Sequence, residues 1–152
     1  GTMSREFVLG TVDKFDWVQV AGAINHPDAG KAVDLSESTR KETGIQDAYL
    51  KLYPVSGYGS PELLRELMVV EKPDAILHYT DPRFWQWLYQ MEHEIRQNIP
   101  IFYYNIWDDL PYPRWNEPYY EYFKTNTQHS SKCMSEKPKN RLGFYLCSTR
   151  NQ

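Results

Sequence analysis

The sequence predicts a three-layer α/β fold, in which helices cover both faces of a parallel sheet. Strand-like and helix-like segments alternate along residues 1–123, a pattern that is typical of parallel strands joined by crossover helices. The strand candidates at 75–79 and 101–106 are nearly continuous apolar runs, as expected for strands buried on both faces. Two helix candidates also begin with a capping residue followed by proline, which marks a helix start.

Each element has a local signal. Ser36 is expected to cap a short helix that stops at Gly44, because glycine favours the left-handed conformation found at helix ends. Ser60 and Asp81 are the two capping residues that precede a proline. The predicted elements, in chain order, are a helix at 4–14, a strand at 17–21, a helix at 37–43, a strand at 48–53, a helix at 60–71, a strand at 75–79, a helix at 82–97 and a strand at 101–106.

Composition narrows the class of protein. With 152 residues the chain is expected to form about one domain. Its net charge of −3 disfavours a non-specific nucleic-acid binder, which is usually basic. The sequence predicts no membrane span and shows no secretory signal pattern, so the expected location is the cytoplasm. Cys133 and Cys147 form no CxxC pair, and they predict neither a disulfide framework nor a zinc site.

The net charge and the pattern of apolar residues both change near residue 123. Residues 1–123 carry 11 basic and 19 acidic side chains, a net charge of −8, whereas residues 124–152 carry 6 and 1, a net charge of +5. We therefore expect three regions. Residues 1–3 are a cloning remnant and the start of the chain, residues 4–123 form a folded domain, and residues 124–152 form a basic polar tail. The tail is expected to pack poorly or dock weakly, and the alternatives are a basic arm for an anionic partner or a terminal strand at 142–147.

The loops that follow the strands are expected to carry the site, because ligands of parallel sheets bind beyond the carboxyl ends of the strands. His78 ends one strand candidate, and Asp81 and Arg83 follow it. Asp81 is placed to cap the next helix, and His78 could equally be a structural histidine. Arg83 stands in the first helical turn, where a cation is mildly unfavourable, and this indicates a functional role.

The stretch at 105–115 is the most unusual in the chain. It contains Trp107 and the adjacent carboxylates Asp108 and Asp109, and residues 102–122 include nine aromatic side chains. Aromatic faces beside carboxylates suit sugar recognition, whereas the alternative is an aromatic core beneath a long loop. Two carboxylates supply too few ligands for a metal, so no metal is expected. The sequence has no GxGxxG, Walker or GxSxG motif.

Three segments together resemble a known family. Residues 72–85 read KPDAILHYTDPRFW, residues 98–111 read NIPIFYYNIWDDLP, and residues 115–121 read WNEPYYE. They resemble the N-terminal, acceptor-side domain of bacterial family 4 glycosyltransferases, and the similarity extends back through YPVSGYG at 53–59 to SREF at 4–7. The resemblance implies a Rossmann-like domain of the GT-B fold, which in these enzymes faces a second domain that binds the donor.

The resemblance also implies an activity and a site. The family transfers a sugar from a nucleotide-sugar donor to a glycan or small-molecule acceptor without a metal. The first strand and the donor domain of the family have no counterpart here, so the chain is expected to be inactive alone, to bind no cofactor itself and to need a donor-domain half. Catalytic residues are not assigned, and the acceptor-binding residues implied by position are His78, Thr80, Asp81, Arg83, Trp107, Asp108 and Asp109.

Other functions remain open. The same crevice could belong to a non-catalytic module that binds a glycan or nucleotide or that assembles with other chains. A sheet without its usual first strand would expose an unpaired edge or a gap, which would favour self-association. An unrelated flavodoxin-like regulator is a third alternative, but its acidic phospho-acceptor cluster with a supporting lysine is not evident.

Overall fold

The computed structural model describes residues 2–22, 26–104, 114–119 and 140–147, the last of these by its backbone. The strands are β1 (Phe15–Gly22), β2 (Val33–Asp34), β3 (Leu50–Pro54), β4 (Ala75–Tyr79), β5 (Ile101–Tyr104) and β6 (Asn140–Cys147). The helices are α1 (Thr2–Leu9), α2 (Ser36–Thr43), α3 (Pro61–Val70), α4 (Gln86–Gln90) and α5 (Glu92–Arg96), with short 3₁₀ helices at Pro82–Trp85 and Arg114–Asn116.

The strands form one sheet of order β2-β3-β1-β6-β4-β5. β1 pairs with β3, and β4 pairs with β5, in parallel. The parallel direction predicted for these four strands is therefore confirmed. β2 was not predicted, and its two residues pair antiparallel with β3. The chain is thus a mixed helix and strand protein with a largely parallel sheet, which agrees with the predicted α/β class.

The strand β6 lies in the centre of this sheet. Its eight residues pair in parallel with the eight residues of β1, and its residues 142–146 pair in parallel with the five residues of β4. The region predicted as a tail therefore supplies a strand to the main sheet. In the described part of the chain, β6 lies between β1 and β4 and joins the two halves of the sheet. Residues 124–139 and 148–152 lie outside the described residues.

Two hydrophobic clusters form the core. Val20 and Ile76 belong to a cluster with residues of α3, α4 and α5. Trp17 and Leu50 belong to a second cluster with Val8 of α1. Residues of a strand point alternately to opposite faces, so Trp17 and Val20 place the two clusters on opposite faces of β1.

Some helix ends differ from the predictions. Ser60 caps α3 as predicted, and its side chain accepts a hydrogen bond from a backbone N–H in the first turn. Leu35, not Ser36, is the N-cap of α2, because the Asp34 carboxylate accepts the Ser36 N–H at 2.8 Å and the Ser36 hydroxyl turns to β3. Where one helix was predicted over 82–97, the chain forms three short pieces, and Met91 adopts non-helical angles of φ −100° and ψ 12°.

The first helix is also shorter than predicted. A helix was expected over 4–14, but α1 ends at Leu9 and residues 10–14 form turns. Gly10 follows the last helical residue, where the low helix propensity of glycine favours an end. Thr11 then donates its hydroxyl to the Phe7 carbonyl at 2.7 Å, which satisfies one of the free carbonyls at the helix end.

A buried carboxylate joins β3 to the end of α3. Glu71 is 3% exposed and accepts hydrogen bonds from the Tyr53 hydroxyl at 2.5 Å, from Lys51 Nζ at 3.0 Å and from the Tyr49 hydroxyl at 3.2 Å. Burial raises the pKa of Glu71, but the hydrogen bonds from Tyr53 and Lys51 outweigh it and hold that pKa below its ordinary value. The charged carboxylate therefore fixes the end of α3 against the sheet.

Candidate functional site

The candidate site lies at the carboxyl edge of the sheet. In the sheet, β3 lies beside β1 on one side of β6, and β5 lies beside β4 on the other side. The chain therefore leaves β1 and β4 in opposite directions across the sheet. Open α/β sheets bind their ligands at such a point of divergence. β6 lies between β1 and β4, and its last residue pairs with Gly22. The segments that follow Gly22 and Tyr79 therefore border the candidate site.

The loop after β3 closes over the end of β1. A Cβ atom on Gly22 would lie 2.9 Å from the Gly57 carbonyl oxygen and 3.5 Å from the Trp85 ring, so only glycine fits there without displacing backbone. Gly57 itself has a φ of 66°, which favours glycine. The Trp87 indole N–H donates to the Tyr58 carbonyl at 3.3 Å. The loop is thus fixed against both β1 and the segment after β4.

An ion pair occupies the segment after β4. Asp81 caps the 3₁₀ helix by accepting the Arg83 backbone N–H at 2.9 Å. The Arg83 side chain returns to the same carboxylate, with Nε 3.0 and 2.9 Å from its two oxygens and Nη2 2.5 Å from Oδ2. Burial raises the pKa of Asp81, but the hydrogen bonds and charge of Arg83 leave it below its ordinary value. The pair is therefore charged at neutral pH.

Trp115 lies against this ion pair, and Phe84 follows Arg83 directly in the chain. The Trp115 ring lies 5.8 Å from the Arg83 guanidinium and is 58% exposed. Phe84 is 44% exposed and stacks on Tyr58, with ring centroids 4.7 Å apart and planes at 11°. Exposed aromatic rings beside charged hydrogen-bonding groups are the pattern expected of a binding surface rather than of a core. We call Asp81, Arg83, Trp115, Tyr58 and Phe84 the edge surface.

His78 and Thr80 lie beneath the edge surface. His78 is fully buried, and its Nδ1 is 2.6 Å from the Tyr89 hydroxyl. Its ring stacks on Tyr103 at 5.4 Å, and among the described residues its Nε2 has no hydrogen-bond partner. Burial lowers the pKa of His78 to about 3, although the charge of Asp81 acts in the opposite direction. The imidazole is therefore neutral near pH 7. Thr80 is also buried.

The predicted site residues thus fall into three groups. Asp81 and Arg83 are accessible and joined to each other. His78 and Thr80 are enclosed, so their contact with an acceptor stays a prediction that requires access from the edge surface. Trp107, Asp108 and Asp109 lie outside the described residues, and the predicted convergence of their loop with the loop after β4 stays a prediction as well.

Sequence reasoning did not single out the aromatic members of the edge surface. Phe84 falls within the helix predicted over 82–97, but it stands in a 3₁₀ helix, whose different periodicity turns it towards solvent. Tyr58 lies in a glycine-rich loop at the carboxyl edge, and its aromatic ring there was the available signal. Trp115 was noted only as part of an aromatic stretch.

Neither a metal site nor a membrane-spanning helix is found among the described residues. Within those residues, no group of three or more His, Cys, Asp or Glu side chains could hold a metal ion. The helices of the described ranges are all too short or too polar to cross a membrane. Compared with protein-family models, curated proteins and solved structures, the chain matches none.

Proposed function

We propose that this chain is a Rossmann-like, three-layer domain that binds a glycan acceptor at its edge surface, as the acceptor-binding half of a glycosyltransferase. The observation that supports this most strongly is the exposed Trp115 ring beside the Asp81–Arg83 ion pair at the carboxyl edge. The two core clusters on opposite faces of β1 support the three-layer arrangement.

The chemistry of the edge surface suits a sugar. One face of a pyranose ring presents C–H groups, which pack on an aromatic ring such as Trp115, and its hydroxyls need fixed hydrogen-bonding groups nearby. Arg83 Nη1 makes no hydrogen bond within the described residues, so its N–H groups are available to a ligand oxygen. The Asp81 carboxylate holds the guanidinium in place for that contact.

The resemblance to family 4 glycosyltransferases supplies the reaction class. In this proposal the edge surface receives the acceptor, and a nucleotide sugar is held by a donor-binding domain in the cytoplasm. His78 and Thr80 lie beneath this surface, and Trp107, Asp108 and Asp109 belong to the proposal only as the acceptor-binding residues that the resemblance implies. Interactions with the donor phosphates, which stabilise charge in the transition state, are assigned to the donor-binding domain.

A second function is favoured by one feature of the edge surface. The accessible carboxylate, Asp81, is held by Arg83, and the histidine of this region is buried and neutral. Within the described residues the surface therefore offers binding groups and no exposed base for proton transfer. This arrangement also fits a non-catalytic module that binds a glycan or nucleotide.

Binding and turnover separate these proposals. Titration of the isotope-labelled chain with a panel of methyl glycosides, followed by NMR, should shift the Trp115 indole and Arg83 Nε signals. Trp115→Ala should abolish the shift of the Arg83 Nε signal and leave the melting temperature nearly unchanged, because the ring is largely exposed. Phe102→Ala removes an aromatic side chain of similar exposure from β5 and serves as the control.

The outcomes distinguish the two functions. Sugar binding combined with release of nucleoside diphosphate from a supplied nucleotide sugar supports a transferase. Sugar binding without release, even when a donor domain is added, supports the non-catalytic module. If no glycoside or nucleotide sugar binds at millimolar concentration, the edge surface is not a carbohydrate site and both proposals fail.

A further inference from the structure

The ion pair of the edge surface also indicates the charge of its ligand. The Asp81 carboxylate receives the Arg83 backbone N–H and both Nε and Nη2 of the side chain. Its two oxygens therefore have little remaining capacity to accept a hydrogen bond from a ligand. Within the described residues Arg83 Nη1 makes no hydrogen bond, so it is the group that can donate to ligand oxygens, while Asp81 offsets the Arg83 charge.

An anionic ligand is disfavoured at such a pair. A carboxylate or phosphate group that reaches Arg83 Nη1 loses hydration there, and Asp81, held against the other edge of the same guanidinium, offsets much of the attraction that would compensate for this loss. An uncharged hydroxyl or ring oxygen accepts the same N–H groups at a smaller desolvation cost. The net charge of −3 of the whole chain adds a weak repulsion of anions at longer range.

We infer that the edge surface selects an uncharged sugar ring and discriminates against uronic acids and phosphorylated sugars. This inference rests on the proposed function, since it specifies the ligand class of the same surface. Trp115 contacts the apolar face of the ring, the free Arg83 donors contact its oxygens, and Asp81 sets the discrimination. The discrimination should therefore disappear when the charge of Asp81 is removed.

The test compares matched pairs of methyl glycosides, each a hexose and its uronic acid, in the glucose, galactose and mannose series. For the unmodified chain we expect the best neutral glycoside to bind about tenfold more tightly than its uronate, because the uronate loses hydration and gains no unpaired positive charge in return. The affinity for the neutral glycoside should be nearly the same at low and high salt, because no net charge is paired on binding.

Asp81→Asn is the decisive variant. Asparagine is also a good N-cap, so the 3₁₀ helix should persist while Arg83 gains an uncompensated charge. We expect the uronate to bind about tenfold more tightly to this variant than to the unmodified chain. Glu94→Gln is the matched control, because Glu94 holds Arg65 in a similar two-pronged pair at 2.8 and 2.9 Å on the helices.

The results separate the inference from the proposed function. If the unmodified chain binds uronates as well as neutral glycosides, or if Asp81→Asn and Glu94→Gln change uronate binding equally, the inference is wrong and the glycan site stands. If neither kind of glycoside binds, the proposed function itself fails and the inference fails with it.

Discussion

Replacing Tyr53 with phenylalanine tests the buried carboxylate that joins β3 to α3. The variant keeps the aromatic ring but removes the hydroxyl that lies 2.5 Å from Glu71 Oε1. A hydrogen bond to a charged group contributes about 1.5–3 kcal/mol to stability. Lys51 and Tyr49 remain as donors to Glu71, so we expect a loss near the lower end, about 1.5–2 kcal/mol at pH 7. The melting temperature should fall by about 3–8 °C.

This loss should depend on pH. The hydrogen bonds hold the folded-state pKa of Glu71 below its ordinary value of 4.5. Its stabilising contribution is therefore present above that ordinary value and is lost as the pH falls through the folded-state pKa. Burial and the Glu71 carboxylate raise the pKa of Tyr53 to about 12, so the phenol stays a donor at neutral pH. The difference between the variant and the unmodified chain should shrink below about pH 4.

The assay is urea unfolding of both chains, followed by circular dichroism at pH 7 and at pH 3.5. Tyr104→Phe is the control, because Tyr104 is an exposed residue of the edge strand β5, and its effect should stay within about 0.5 kcal/mol. A Tyr53→Phe loss no larger than the control at pH 7 would contradict the reasoning. An undiminished loss at pH 3.5 would show that the charged carboxylate is not its source.

Three further predictions concern single residues. Lys72→Gly should raise stability by about 1 kcal/mol, because Lys72 has a φ of 47° after α3 and glycine adopts that angle without strain; thermal unfolding measures the gain. Gly22→Ala should lower stability by about 1–3 kcal/mol, because its Cβ would meet the Gly57 carbonyl at 2.9 Å; urea unfolding measures this loss. The control is Gly44→Ala, which adds a Cβ at an exposed position of positive φ where no other atom lies within 4 Å. Burial lowers the pKa of His78 from 6.5 to about 3, so its contribution is complete above pH 6.5 and declines as the pH falls towards 3. An unfolding series from pH 7 to 5 should show this decline, and His78→Phe should flatten it.

Local sequence signals were enough to predict the helix ends that depend only on neighbouring residues. The Ser60 cap formed as predicted because it needs only the serine and the backbone of the following turn. Gly44 ends α2 with a φ of 75°, again through its own backbone freedom. Ser36 does not cap the helix, because its backbone N–H donates to the Asp34 carboxylate and its hydroxyl donates to the Leu50 carbonyl. Such competition depends on where β3 lies, which local patterns do not contain.

The position of β6 was decided by the tertiary structure. The run at 142–147 indicated a strand or a short helix, because its apolar residues are compatible with either. Its neighbours, β1 and β4, are more than sixty residues away in sequence, and the pairing follows from completing the sheet between them. The sequence also placed His78, Asp81 and Arg83 at one strand end. In the tertiary structure, Tyr89 and Tyr103 pack on His78 and enclose it, whereas the short 3₁₀ helix leaves Arg83 exposed to solvent. The sequence could not decide this, because burial at a strand end depends on which elements cover it.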